Sequence, residues 1–175
     1  MPDKLREQSV TQHLVSVLGY LPDEYIDVNI KAQILLYSRD NTLLHFPVST
    51  SQFGVGNAEN SFKTPLGVHC ITEKIGEGYQ SGTIFKSRKS TGKIWHPEID
   101  QENLILTRIL RLKGLQPGIN SGQGIDSYNR YIYIHGTNRE EKIGTPISHG
   151  CICMKNDHII TLFDIVREGT IVTVS

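Results

Sequence analysis

Between positions 135 and 153 the chain places two imidazoles and two thiols, His135, His149, Cys151 and Cys153, within a short reach of sequence. A cysteine ordinarily ionises near about pH 8.5 and is only a few per cent thiolate at neutral pH, so a nucleophilic cysteine needs an imidazole to take its proton. Cys151 is the candidate nucleophile, because Gly150 before it frees the backbone and lets the thiol emerge at a turn. Two bases are open to it. His149 stands two positions away and shares a face with Cys151 where the chain is extended. His135 is followed by Gly136 and Thr137, and a histidine at a strand end beside a glycine is well placed to be oriented by a main-chain carbonyl. The chemistry of such a pair is acyl transfer through a thioester. The same four side chains are admissible zinc ligands, but Cys-x-Cys is an unusual spacing for zinc, and neither a metal nor an organic cofactor is expected. A bridge between Cys151 and Cys153 across one residue is strained, so Cys153 reads as a packing residue. Cys70, alternating with His69, reads as a small core residue.

A sheet must hold these groups. Residues 25–30, 33–38 and 42–49 read as a meander of strands turning at Arg39-Asp40-Asn41. A polar, Gly-containing loop over 51–65 leads into a strand at 68–72. Residues 73–101, with Gly76, Gly78, Gly82 and Gly92 and few apolar runs, read as a long irregular excursion, a lid or binding rim in which Tyr79 and Trp95 could face a ligand. Residues 103–112 form an apolar run broken by Thr107, Arg108 and Arg111. Residues 130–135 read as a strand in which Tyr131-Ile132-Tyr133-Ile134 alternates aromatic with β-branched. The clearest helix begins with Asn156 or Asp157 as N-cap, carries Ile159, Leu162, Phe163 and Val166 on one face, and ends at Gly169. A last strand covers 170–174. At the other end, Leu5, Val10, Leu14, Val15 and Leu18 have the loose spacing of a short amphipathic helix, an extension over residues 1–20. Many strands with one strong helix predict an all-β or α+β domain.

Composition narrows the partners. At 175 residues one domain suffices, and the 18 basic and 18 acidic side chains cancel, so neither nucleic acid nor an anionic membrane is an expected partner. No run approaches the roughly 18 apolar residues of a membrane span, and the opening Met1-Pro2-Asp3-Lys4 carries no secretory signal, which predicts a cytoplasmic protein, or a periplasmic one if the natural start lies upstream. Three cysteines do not make a disulfide framework.

The motifs then add a resemblance. Ile134-His135-Gly136-Thr137, Ile143-Gly144-Thr145-Pro146, Ser148-His149-Gly150-Cys151-Ile152 and Met154, with Pro47-Val48-Ser49-Thr50 and Thr64-Pro65-Leu66-Gly67 upstream, resemble the L,D-transpeptidase catalytic domain (YkuD type) over about residues 26–175. The resemblance implies a mostly β fold, a bent β-sandwich, acting on peptidoglycan stem peptides at the bond between an L-centre and a terminal D-alanine. It makes Cys151 the nucleophile, His135 the base and the Gly136 carbonyl its orienter. His149 and Gly150 would shape the turn, the N–H groups of Gly150 and Cys151 would be oxyanion donors, and Thr137 and Ser148 would line the substrate.

Two departures follow. The family usually has an arginine where this chain has Cys153, and an aromatic residue where it has His69. The lost cation leaves Arg108 and Arg139 as candidates to hold a substrate carboxylate. Three functions compete: hydrolytic release of D-alanine by an L,D-carboxypeptidase in murein recycling, favoured by the N-terminus; crosslinking by a periplasmic L,D-transpeptidase; and a non-catalytic peptidoglycan-binding module, against which the intact Cys151 and His135 speak. The oligomeric state has no sequence signature here.

Overall fold

The structure is a computed structural model that describes residues 2–99 and 103–175. Among the described residues, ten strands and two α-helices form a mostly β, barrel-like sandwich. The meander is present as β1 (Glu24–Asn29), β2 (Ile34–Arg39) and β3 (Thr42–Ser49), antiparallel in register, because alternate residues such as Ile26, Val28, Leu35 and Tyr37 all enter one core. β4 (Gly67–Ile75) pairs with β10 (Ile171–Val174) on one edge and β7 (Ile105–Gly114) on the other, which closes the sheet.

The excursion after residue 73 is not irregular. β4 runs on to Ile75, and a hairpin of β5 (Thr83–Lys86) and β6 (Lys89–Ile94) follows; residues 100–101 of the expected excursion lie outside the described residues. The hairpin escapes pattern reading because β6 is almost wholly exposed and has no apolar alternation. It hangs on the first residues of β7, Ile105 and Leu106, while β4 takes the rest of the same edge from Ile109 onward. At the hand-over the β7 ladder bulges and Thr107 adopts φ +73°. That is costly for a β-branched residue, and its hydroxyl is engaged on both sides, accepting the Gly82 N–H at 2.9 Å and donating to Asn156 Oδ1.

α2 (Asn156–Ile165) closes the main core with Ile159, Leu162 and Phe163, joined by Val166 just past its end. Its N-cap is Lys155 rather than Asn156 or Asp157, because the Asn156 side chain is turned toward Glu140 and Thr137. At the other end Lys74 Nζ donates to the carbonyls of Phe163 and Val166, at 2.6 and 2.8 Å, placing a cation on the negative pole of the helix. Gly169 lies beyond the helix in the turn to β10, at φ +90°. The N-terminal helix, α1 (Pro2–Leu18), lies within the expected extension over residues 1–20. Only Val10 and Leu14 of its five expected apolar positions are fully buried, Leu5 and Val15 being exposed, and Arg6 forks onto Asp27 of β1 at 2.6 and 2.8 Å.

Candidate active site

β8 (Tyr133–Gly136) and β9 (Ile152–Met154) lie side by side in parallel, with Ile134 opposite Ile152, His135 opposite Cys153 and Gly136 opposite Met154. Ile134, Ile152 and Met154 enter the main core. Strand alternation therefore sends Tyr133, His135 and Cys153 to the opposite face, with Cys151 just ahead of β9 packed there against Phe85, Ile109 and Tyr133. This face is the candidate active site. Cys151 is half-buried and reaches it because Gly150 turns the chain at φ +121°. Ser148 fixes the turn, its Oγ donating to the Cys151 carbonyl at 2.6 Å and accepting the Gly150 N–H at 3.2 Å.

His135 is buried, and its Nδ1 bonds the Gly136 carbonyl at 2.7 Å, which leaves Nε2 as the basic nitrogen. Burial pushes its pKa down to about 4, the Gly136 bond opposing. That bond depends on close packing. A Cβ at Gly136 would lie 2.5 Å from Asn156 Oδ1 and 2.7 Å from the Leu106 carbonyl. Asn156 in turn donates to the Thr137 carbonyl at 2.9 Å and to Glu140 at 2.6 Å, so a partly buried polar lattice backs the His135–Gly136 segment.

The Cys151 sulfur lies 3.5 Å from the Tyr131 carbonyl, to which the thiol donates, and it accepts the Tyr133 N–H. Burial pushes its pKa up to about 11, against the Tyr133 bond and the charge of Arg130. At pH 7 thiol and imidazole are thus both neutral. The sulfur in contact with His135 Nε2 is that of Cys153, at 3.8 Å, its own pKa raised by burial and by Cys151. Cys151 is the diagonal neighbour of His135 on the shared face, and one imidazole stands before two thiols.

His149 is elsewhere. It is exposed, stacked on Phe53 and edge-on to Phe62, with its nitrogens toward Gln52 and Asn103 at 3.4 and 3.2 Å. His135, His149, Cys151 and Cys153 do not converge as a zinc set, and among the described residues no three potential ligands do. Thr137 is buried, its hydroxyl accepting the Arg139 N–H at 3.2 Å, and Ser148 serves the turn, so both frame the site rather than line it. Arg108 does not face Cys151. It shares the parity of Leu110 and Leu112, lies over the Phe163 ring, and donates to the carbonyls of Thr107 and Tyr79 at 2.7 and 2.9 Å. Arg139 precedes a short 3-10 turn, Glu140–Lys142.

Other residues gather round the thiol. Arg130 donates to the carbonyls of Gly56, Asn57 and Lys63 and, with Glu59, Asn60, Phe62, Tyr131 and His149, lines a cavity of about 170 Å³. Arg88, Arg111 and Glu73 surround Tyr131 and Tyr133. Parity could have found Arg111, which shares the side of Ile109; Arg88 and Arg130 arrive by tertiary folding and leave no sequence signal.

The family model for the L,D-transpeptidase catalytic domain (YkuD) matches residues 23–174. The chain belongs to this family. Among L,D-transpeptidase relatives, the protein named Probable L,D-transpeptidase YcfS of Escherichia coli (strain K12) is 26% identical over 94% of this chain and 48% of its own length. Probable L,D-transpeptidase ErfK/SrfK of Salmonella typhimurium (strain LT2) is 35% identical over 47% of this chain and 28% of its own. The chain thus spans about half, or less, of the curated relatives it matches. Among solved structures, L,D-transpeptidase 3 from Mycobacterium tuberculosis with a faropenem-derived adduct superposes with a TM-score of 0.56 at 16% identity, over 88% of this chain and 60% of that one, a likeness of fold.

Proposed function

We propose that the protein is a cysteine L,D-carboxypeptidase that cleaves terminal D-alanine from peptidoglycan tetrapeptide stems. The observation that carries this reading is the single face of β8 and β9 on which Cys151 and a Gly136-oriented His135 lie together in a domain of this family. Since thiol and imidazole are neutral at rest, Cys151 gives up its proton as its sulfur attacks the carbonyl, and His135 Nε2 receives it. Collapse of the tetrahedral intermediate breaks the C–N bond, the proton passes to the departing amine, and a thioester remains on Cys151. Gly150 N–H must leave Ser148 Oγ to serve the oxyanion, a contribution of about 3 kcal/mol where such donors have been removed.

Water is the proposed acceptor. The thiol is walled by Phe85, Ile109 and Tyr133 and stands beneath the β5–β6 hairpin, which favours a small acceptor over a second stem. A reducing cytoplasm is the proposed compartment, supported by three free thiols, one of them the nucleophile. The test is mass spectrometry of enzyme with a disaccharide tetrapeptide and excess acceptor amine, alongside fractionation of cells. Loss of D-alanine without a dimer supports the reading. Crosslinked product reassigns the acceptor to an amine, periplasmic protein overturns the compartment, and unchanged peptide removes the activity.

A further inference from the structure

The turn joining β5 to β6 has two residues, Ser87 and Arg88, between the paired Lys86 and Lys89. Both are left-handed, at φ +48° and +65°. A two-residue hairpin of this kind favours Asn-Gly, and neither Ser nor Arg is a cheap occupant. Strain retained at one turn directs attention to what the side chain does there.

Arg88 folds back over the active-site face. Its NH1 donates to the Tyr133 hydroxyl at 3.2 Å, and its guanidinium lies 5.1 Å from the centre of the Tyr131 ring. These two tyrosines flank the nucleophile: the Tyr131 carbonyl accepts from Cys151 Sγ and the Tyr133 N–H donates to it. Tyr131 is itself left-handed, at φ +57°, and 54% exposed, so its ring stands in solvent at the mouth of the site.

Three cations approach this place, and two are committed. Arg111 is bound to Glu73 at 2.8 Å, and Arg130 is spent on main-chain carbonyls. Among the described residues no carboxylate lies within ion-pair distance of Arg88, Glu73 acting on it only from further away while held by Arg111, and Arg88 is only partly buried and keeps donors for a ligand. We propose that Arg88, backed by the Tyr131 ring, binds a carboxylate of the acyl donor. This rests on the stem-peptide reading and assigns its specificity to the hairpin tip instead of to Arg108 or Arg139. A tetrapeptide stem offers two sources within reach of its scissile bond, the terminal carboxylate and a side-chain carboxylate on the third residue. The bound group is the same in either case.

The experiment has two arms. In the first, wild type, Arg88→Gln and Arg88→Gly are compared on the free-acid tetrapeptide and on two forms, one amidated at the C-terminus and one at the third side chain. Glycine suits the turn, so that variant keeps the hairpin. The wild type is expected to prefer the free acid over one amide by about tenfold in kcat/KM, mostly through KM, and both variants to lose that preference. The amide at which the preference vanishes names the carboxylate. In the second arm, Cys151 is alkylated with iodoacetate and with iodoacetamide, and the site is read by peptide mapping. Both variants are expected to lower the iodoacetate-to-iodoacetamide rate ratio about threefold at low salt, an effect that salt abolishes. Equal treatment of acid and amides by the wild type, or a ratio unmoved in both variants, overturns the proposal. A wild type that cleaves none of the peptides yet keeps the Arg88-dependent ratio sinks the stem-peptide reading and supports the carboxylate site.

Discussion

Two histidines make the fold acid-sensitive in a calculable way. His69 is fully buried on β4, its Nδ1 3.0 Å from the Gly67 carbonyl and its Nε2 3.0 Å from Ser127 Oγ, and burial pushes its pKa down to about 4, as it does for His135. An unfolded histidine titrates near about 6.5. As pH falls through the window between 6.5 and 4, the unfolded chain takes up protons that the folded chain refuses, so stability present above the window is lost within it. At pH 4.5 the linkage relation gives about 2.5 kcal/mol for each site, about 5 kcal/mol for the pair, which is the scale of a whole domain's stability. The perturbation is His69→Gln, which keeps polar atoms at the site and removes the titration. Urea unfolding at a series of pH values, followed by circular dichroism, measures the effect in each protein. Wild type is expected to lose stability steeply from pH 7.5 to 4.5, and the variant to lose about 2.5 kcal/mol less over the same interval. Asp27, whose carboxyl is pushed up by burial despite Arg6, acts in the opposite sense but equally in both proteins. Equal pH slopes in the two proteins would refute the assignment of a neutral, buried ring to His69.

Other outcomes test the site. Cys151→Ala is expected to abolish turnover with an unchanged circular dichroism spectrum, and His135→Gln to reduce kcat steeply; retained turnover in either would remove that residue from the mechanism. Alkylation of Cys151 by iodoacetamide is expected to keep accelerating above pH 9, following the raised thiol, whereas a plateau near pH 8.5 would mean an ordinary exposed cysteine. Gly136→Ala is expected to cost about 2 kcal/mol or more of stability in urea titration, because the methyl meets Asn156 Oδ1 and the Leu106 carbonyl. Cys153→Ala is expected to raise the alkylation rate of Cys151 by freeing His135 Nε2, and an unchanged rate would show that the Cys153 contact does not restrain the base.

Sequence and structure part company where the third dimension decides which face a residue takes. The meander was legible because Ile26, Val28, Leu35, Tyr37, Phe46 and Val48 alternate into one core, and the turn before Cys151 because Gly150 marks it. The aromatic, alternating context of Tyr131 predicts a strand, yet it lies in a left-handed turn and β8 starts at Tyr133. The aromatic pattern was real but only its later half pairs. As an unusual charge in an apolar run, Arg108 stands out in the sequence. Counting by twos from Leu110 and Leu112 places it on the core side of β7, where its stem packs beside Phe163 and its head finds carbonyls, so the run was the wrong guide and the parity the right one.

The position two residues after Cys151 connects these observations. It faces His135 across the parallel β8–β9 pair, so whatever stands there touches the imidazole directly. An arginine, usual in the family at this place, would bring a cation beside the imidazole and disfavour its protonated form. Cys153 brings none. Its buried thiol lies against Nε2 and adds no charge there, which suits a resting state in which the Cys151 thiol and the His135 imidazole are both neutral. A substrate carboxylate must then find its cation outside the β8–β9 pair, and Arg88 reaches the same face from a hairpin that β7 supports at Ile105 and Leu106. On the proposal made above for Arg88, the charge that meets a substrate carboxylate comes from a turn and not from the strand that carries Cys153. A turn is the element whose length and sequence change at least cost to the core, so substrate choice in this chain can alter without disturbing Cys151 or His135.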